Sequence, residues 1–340
     1  MIYEKIAEDM KTDILSGACK GNRLPRREEL CVRYNATRST LQNAIDILIE
    51  QGLLGTYGRN GTQIRKELAR SLTFGIAVQA KNVQEDSLFR MMETAVEALS
   101  KSKGFKFKLY YGIMDAPEAG DTKKLLADID GHVLGGLVLF WPSREMFMRF
   151  HRPYLPIICT SEDMQFKNCE YVSFDFKSLV SLLLDKCEES GLKRIALLAN
   201  TELEAIYIEY FRAEAKRRRF FTREDWIIAG CLCIKARPWI ERNVQFMLEH
   251  SMDAPPEAIV VLNEQLADSA VKGISNTRLK LNRDIRIFSH CNFFEKPSRA
   301  EYVRVGYDIG KLVEEYADTF CRRYETGHPD TNIKLIKALT

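Results

Sequence analysis

The side chains of this chain that could do chemistry do not form a catalytic set. Five histidines (132, 151, 250, 290, 328) stand apart from one another. Nine cysteines (19, 31, 159, 169, 187, 231, 233, 291, 321) are scattered, with no CxxC pair and no Cys/His spacing of a zinc site. GxxxxGK, HExxH and GxSxG are absent, as is a GxGxxG after the first strand, so the sequence points to no metal, no cofactor and no enzyme. Cys231 and Cys233 would share one face of a strand, which reads as packing, and His290 stands at a strand end where it could hydrogen-bond a ligand. What is concentrated is polar recognition near the N-terminus: Arg26 and Arg27, then Arg38, Ser39, Thr40, Gln42 and Asn43, then Arg59, Asn60 and Gly61. Guanidinium groups fork onto phosphates and guanine edges, and a side-chain amide matches adenine.

The elements that must position these groups follow from periodicity. Ile2, Ile6, Met10 and Ile14 form one stripe of a helix over 2–16, ended by Gly17. Pro25 suits the first turn of a second helix, in which Leu30 and Tyr34 face inward, and Asn35 breaks the chain. Thr37 can cap a third helix whose buried face is Leu41, Ala44, Ile45 and Leu48. That geometry turns Arg38, Ser39, Gln42, Asn43 and Asp46 outward, as major-groove reading requires, although a solvated polar face would look the same. Two cations at the start of the second helix are opposed by its dipole, and an arriving phosphate would reverse that cost. Gly52 stops the third helix, and Leu53-Leu54 and Thr62-Gln63-Ile64 read as strands joined through Gly58-Arg59-Asn60-Gly61, a slim basic hairpin tip.

Charge separates this head from the rest. The first 70 residues hold 12 Lys/Arg against 9 Asp/Glu, while the remaining 270 hold 38 of each, so the whole net charge of +3 belongs to the head. At 340 residues, 46% apolar and 29% charged, the chain is expected to be a globular protein of two or three domains. It has no apolar run of membrane-spanning length, and acidic residues occupy the place of a basic export signal. The expectation is a cytoplasmic protein without membrane partners.

Residues 67–72 read as a charged linker between a head over 1–66 and a body over 73–340. In the body, strands near 73–80, 105–111, 133–140, 155–160, 193–199, 226–234, 257–262 and 284–289 alternate with helices, the last over 307–325. Such alternation predicts parallel sheets covered by helices, and its length predicts two lobes. Ligands bind beyond the carboxyl ends of such strands. The groups expected there are Asp86, Phe89, Trp141, Asp175, Asn263, Glu264 and Asn292, rings and polar groups suited to a small polyhydroxylated ligand. Phe89 and Trp141 would serve equally as core. Lys216-Arg217-Arg218-Arg219 is the one dense basic run outside the head, favourably placed at a helix end.

Two resemblances follow from these residues. Residues 3–64 resemble the winged-helix head of the GntR family of bacterial regulators through Tyr3-Glu4-Lys5-Ile6-Ala7, Ile14-Leu15-Ser16-Gly17, Arg23-Leu24-Pro25, Glu29-Leu30, Arg38, Ala44, Leu48, Gly52-Leu53 and Gly61-Thr62. The resemblance implies DNA contacts from Arg26, Arg27, Arg38, Ser39, Thr40, Gln42, Arg59, Asn60 and Gly61. The family usually has Ser, Arg and Arg where this chain has Arg26, Glu28 and Gln42, so the base sequence read must differ, with Gln42 favouring adenine. Residues 72–325 resemble the effector domain of the LacI/GalR family, itself similar to periplasmic sugar-binding proteins. The matches are Phe74-Gly75-Ile76-Ala77-Val78, Val172-Ser173-Phe174-Asp175, Gly191-Leu192-Lys193-Arg194-Ile195-Ala196, Asn263-Glu264 and Ile309-Gly310. The family's pocket arginine falls on Ile206, and its Asp-Asp pair on Cys291-Asn292.

Together the resemblances imply an arabinose-repressor-like arrangement. A homodimer would hold operator double-stranded DNA, most simply as a repressor, under control of a sugar or sugar derivative. The alternatives are a DNA-binding head fused to an enzyme-like domain, or a constitutive DNA binder that carries a ligand-binding domain.

Overall fold

In the computed structural model of the chain, the described residues are all except 1, 16–22, 51–52, 57–60, 65–72, 80–86, 114–117, 119, 132, 153–154, 162–165, 167–168, 201–204, 231–235, 252–253, 294–301, 327–328 and 331. The N-terminal stripe winds as expected into α1 (Ile2–Leu15), followed by α2 (Arg27–Arg33) and α3 (Arg38–Glu50). Asn35 makes the turn between α2 and α3 with a left-handed φ of 46°. Ile6, Met10 and Ile14 are buried, but Ile2 is 76% exposed at the open end of α1. The stripe meets Leu30, the Leu41/Ala44/Ile45/Leu48 face of α3, and Leu54 and Ile64 of a hairpin in one core. The hairpin strands β1 (Leu54–Thr56) and β2 (Thr62–Ile64) pair antiparallel, Leu54 opposite Ile64.

The chain divides into two compact units, one of Met1–Ser173 with Gly310–Leu335, the other of Phe174–Ile309 with Ile336–Thr340. Beyond the head, the first unit is built on a six-stranded sheet. Its strands are β3 (Thr73–Ala77), β4 (Lys106–Tyr110), β5 (Leu134–Leu139), β6 (Ile157–Cys159), β7 (Cys169–Phe174) and β13 (Ile333–Ile336), in the order β13-β7-β6-β5-β3-β4. The β4–β3, β3–β5, β5–β6 and β6–β7 pairs are parallel. Its helices are α4 (Ser87–Lys103), α5 (Thr122–Asp130), α6 (Arg144–Phe150) and α11 (Ile309–Thr326). Phe320 of α11 stacks on Phe74 of β3 at 4.5 Å, which Gly136 permits because a Cβ there would sit 2.3 Å from the Phe320 ring. One turn further on, Tyr324 packs against the head's core and donates its hydroxyl to the Gly135 carbonyl.

The second unit carries a five-stranded sheet in the order β12-β11-β10-β8-β9, with every neighbouring pair parallel. The strands are β8 (Ile195–Asn200), β9 (Ile227–Gly230), β10 (Ala258–Val261), β11 (Arg286–Phe293) and β12 (Val303–Asp308). Around them lie α7 (Phe176–Glu189), α8 (Ala205–Arg217), α9 (Arg237–Glu249) and α10 (Ala267–Ser275). The expected mixed architecture of a winged head and two parallel α/β lobes is what the chain adopts.

Three strands escape detection from sequence. In β7 every residue is buried, so no alternation marks it, and Glu170, its second residue, interrupts the apolar run. The Glu170 carboxyl faces Arg323 of α11 at 3.8 Å, both side chains being almost wholly buried, and burial pushes its pKa up to about 7 with Arg323 only partly opposing this. β12 contains Gly306, where a Cβ would fall 1.4 Å from the Cys291 carbonyl oxygen of β11. The glycine that weakens the strand signal is what lets the two backbones approach. β13 alternates between exposed and half-buried residues and gains its place from the neighbouring β7.

Candidate DNA interface and effector site

In the head, Arg26 takes the cap position of α2 with extended backbone (φ −60°, ψ 146°) and makes no side-chain cap. Arg26 and Arg27 are exposed, and among the described residues neither enters an ion pair. Two free cations therefore stand at the positive end of a helix whose first turn contributes Glu28 and Glu29 as partial compensation. α3 starts as expected, with the Thr40 N–H donating to Thr37 Oγ1 at 3.2 Å. Arg38, Ser39 and Asn43 are exposed, Thr40 and Gln42 half-buried. Three of these side chains have partners: Arg38 Nη2 donates to Glu28 Oε1 at 2.8 Å, Gln42 Nε2 to Asp46 Oδ1 at 2.7 Å, and the Thr40 hydroxyl pairs with that of Thr37 at 2.8 Å. Gln42 keeps one amide hydrogen and its carbonyl oxygen for a base edge.

The hairpin is tied to the start of α2. Leu24 N–H donates to the Thr62 carbonyl at 3.3 Å, and Arg23 bridges to Gln63. Gly61 has a φ of 74°, and Arg23 Nη2 lies 3.6 Å from where its Cβ would be. Arg23 fits the family pattern without being one of its implied DNA contacts, and this proximity adds it to the basic surface near the wing. Arg59 and Asn60 lie outside the described residues.

The candidate effector residues separate by unit. In the first, Phe89 is 4% exposed and meets Phe140 edge-on at 5.7 Å, which gives it the core role. Trp141 is half-exposed at the end of β5 with φ 41°, its N–H donating to Thr160 Oγ1 at 2.9 Å and its carbonyl accepting from Gln79 Nε2 at 3.2 Å. A left-handed tryptophan costs roughly 1 kcal/mol or more. These two bonds and the Phe140 ring at 5.3 Å hold it there. Asp86 lies outside the described residues.

In the second unit the polar candidates are enlisted by the backbone. Asp175 caps α7, accepting from Ser178 N at 2.9 Å, and Asn263 Oδ1 accepts from Gln265 N at 3.0 Å. Glu264 Oε2 accepts the Asn292 N–H at 2.9 Å, so the ends of β10 and β11 are joined through the side chain. The Asn292 side chain pairs with His290, Nε2 to Oδ1 at 3.2 Å. Burial pushes His290 down to about 4, its Asn292 bond only partly opposing this, so it is a neutral imidazole at physiological pH. Sequence reasoning missed an aromatic pair beside Asp175: Phe176 stacks on Tyr207 at 4.8 Å, one residue beyond the exposed Ile206. The signal was available in the adjacency of Tyr207 to the position of the family's pocket arginine.

Lys216–Arg219 ends α8 as expected, with Lys216 and Arg217 in its last turn. Glu214 pairs with Arg217 and Arg218, and Asp185 also holds Arg218, which neutralises the run locally. Cys159 and Cys169 are buried thiols 3.2 Å apart on adjacent strands, and Cys231 and Cys233 lie outside the described residues. Among the described residues no group of three or more His, Cys, Asp or Glu is placed to hold a metal ion, and no helix is long and apolar enough to cross a membrane.

A three-helix head with a two-stranded wing is followed by two parallel α/β lobes. Residues 2–64, the head, match the model of bacterial regulatory proteins of the gntR family. No curated protein matches the chain in sequence. The body has the fold of LacI-family regulators. A regulatory protein of the LacI family from Chloroflexus aggregans superposes with a TM-score of 0.61 at 14% identity, over 78% of this chain and 95% of that one. A LacI family transcriptional regulator from Mycobacterium smegmatis gives 0.60 at 15%, over 79% and 97%. One from Enterococcus faecium, with bound ribose, gives 0.57 at 15%, over 78% and 96%.

Proposed function

We propose that the chain is a sequence-specific transcription regulator, a repressor acting in the cytoplasm as a homodimer on operator DNA, whose hold on DNA is set by a sugar or sugar derivative. The observation that carries the reading is the pair of unpartnered cations, Arg26 and Arg27, at the N-terminus of α2 beside the polar face of α3, a surface that gains most from phosphate. Residues 1–66 act as the head, 67–72 as the linker and 73–340 as the effector and dimerisation domain. Arg26, Arg27, Arg38, Ser39, Thr40, Gln42, Asn43, Arg59, Asn60 and Gly61 contact DNA, while Asp86, Trp141, Asp175, Asn263, Glu264 and Asn292 serve the effector and Phe89 belongs to the core behind them. The ribose in the Enterococcus faecium regulator supports a sugar as ligand.

The test is a gel shift with DNA upstream of the chain's own gene across a panel of sugars. At least one sugar is expected to change the bound fraction by roughly five- to 150-fold in affinity, the usual span of such coupling. If none does, the sensor half of the proposal fails. Dimerisation is supported by Trp239 and Phe246, two turns apart on α9 and 50% and 62% exposed. Trp239→Arg is expected to shift the chain to monomer in sedimentation equilibrium, and an unchanged mass would remove α9 from the interface.

A further inference from the structure

Three exposed acidic side chains, Glu28, Glu29 and Asp46, stand on the surface that the reading above gives to DNA, and Glu28 is paired with an arginine of that surface. Glu28, in the first turn of α2, accepts from Arg38 Nη2 at 2.8 Å, and the two side chains are 65% and 75% exposed. Among the described residues neither has another hydrogen bond or ion pair. A carboxylate facing a duplex weakens binding to every sequence, because it repels phosphate. An exposed ion pair in turn contributes little to stability. Its geometry offers more. Glu28 occupies one guanidinium hydrogen and leaves four, enough for the two that fork onto O6 and N7 of a guanine. It also holds a long, rotamer-rich side chain in one orientation before DNA arrives, which lowers the ordering cost of the contact.

We propose that Glu28 is a specificity-determining residue, which positions Arg38 against one base edge and penalises all duplexes through its charge. The inference rests on the DNA-binding reading and adds to it a residue that acts through Arg38 and touches no base itself. The chain would then gain discrimination and give up some general affinity.

The experiment uses the full chain and its Glu28→Gln, Arg38→Ala and doubly substituted variants. A preferred site is first selected by the unsubstituted chain from a randomised duplex pool. Fluorescence anisotropy then measures affinity for that site, for its single base-pair variants and for an unrelated duplex. With Glu28→Gln, binding to the unrelated duplex is expected to strengthen roughly two- to fivefold through loss of one repulsive charge. Discrimination at a single base pair is expected to fall about tenfold. Arg38→Ala should lose discrimination at the same base pair, and Glu28→Gln should add no further loss there. Equal strengthening on all duplexes with base preference intact would overturn the proposal, as would a Glu28→Gln loss of preference that persists without Arg38. An unsubstituted chain that enriches no sequence overturns the DNA-binding reading itself, and this inference with it.

Discussion

The head and the second unit use polar side chains in opposite ways. On the head, Arg26 and Arg27 have no ion-pair partner among the described residues, and Arg38 and Gln42 are engaged only by neighbouring exposed groups. Little of the fold depends on them. In the second unit Asp175 and Asn263 cap their own backbone, Glu264 holds the Asn292 amide, and His290 is buried as a neutral ring. There each polar group is part of the fold before it meets any ligand. A surface for a large, pre-charged partner can leave its donors in water. At the strand ends of the second unit these groups are half-buried or buried, and their bonds to neighbouring N–H groups and side chains offset part of the cost of leaving water.

The largest effect that would break this contrast lies at His290. Its pKa falls from the ordinary imidazole range to about 4 on folding, so between about 6.5 and 4 the unfolded chain binds the extra proton and stability falls as pH falls. The full shift corresponds to about 3 kcal/mol, and stability is unaffected above a pH of about 6.5. Denaturant titrations of the unsubstituted chain and of His290→Gln should show the acid-side loss reduced in the variant. Equal slopes in that window would mean that the ring is not held neutral.

Next in size is the cap at Asp175. Asp175→Ala should cost about 1 kcal/mol of stability through loss of the Ser178 bond, whereas Asp175→Asn, which can still accept it, should cost only a few tenths. If both variants melt like the parent, the residue serves the ligand alone and the contrast with the head weakens. If Asp175→Asn keeps the melting temperature but loses sugar-induced stabilisation, the two roles are separated.

The smallest stability effect belongs to the head. Arg26→Ala or Arg27→Ala should leave the melting temperature unchanged or slightly raised, since a cation is removed from a helix N-terminus. Binding to all duplexes should weaken together, and the slope of log affinity against log salt should fall by about 1 for each phosphate no longer neutralised. A change in melting temperature without a change in salt slope would place these arginines in the fold, and the head would then resemble the second unit.

Much of the head was legible from local pattern. The α3 face of Leu41, Ala44, Ile45 and Leu48, the Thr37 cap and the Asn35 turn each depend on residues within one or two helical turns, and all occur as expected. The pairing of Glu28 with Arg38 was not legible, because ten residues of chain turn back through Asn35 before the two meet. Strand-end position nominates the candidate effector residues, but position alone does not distinguish a ligand group from a cap. Asp175 and Asn263 carry the residue types that suit both, and only the neighbouring N–H groups reveal the capping bonds.

By itself the sequence determined the charged head, the winged-helix order of elements and the alternation of strand and helix that demands parallel sheets, since each follows from spacing along a short stretch of chain. The tertiary structure alone decided that β7, β12 and β13 are strands. It also decided that Glu170 is buried opposite Arg323 and that Phe89 packs on Phe140. The reason is physical: a strand's partners, and a buried charge's counter-charge, lie far away in sequence. Gly306 is informative only once Cys291 lies against it.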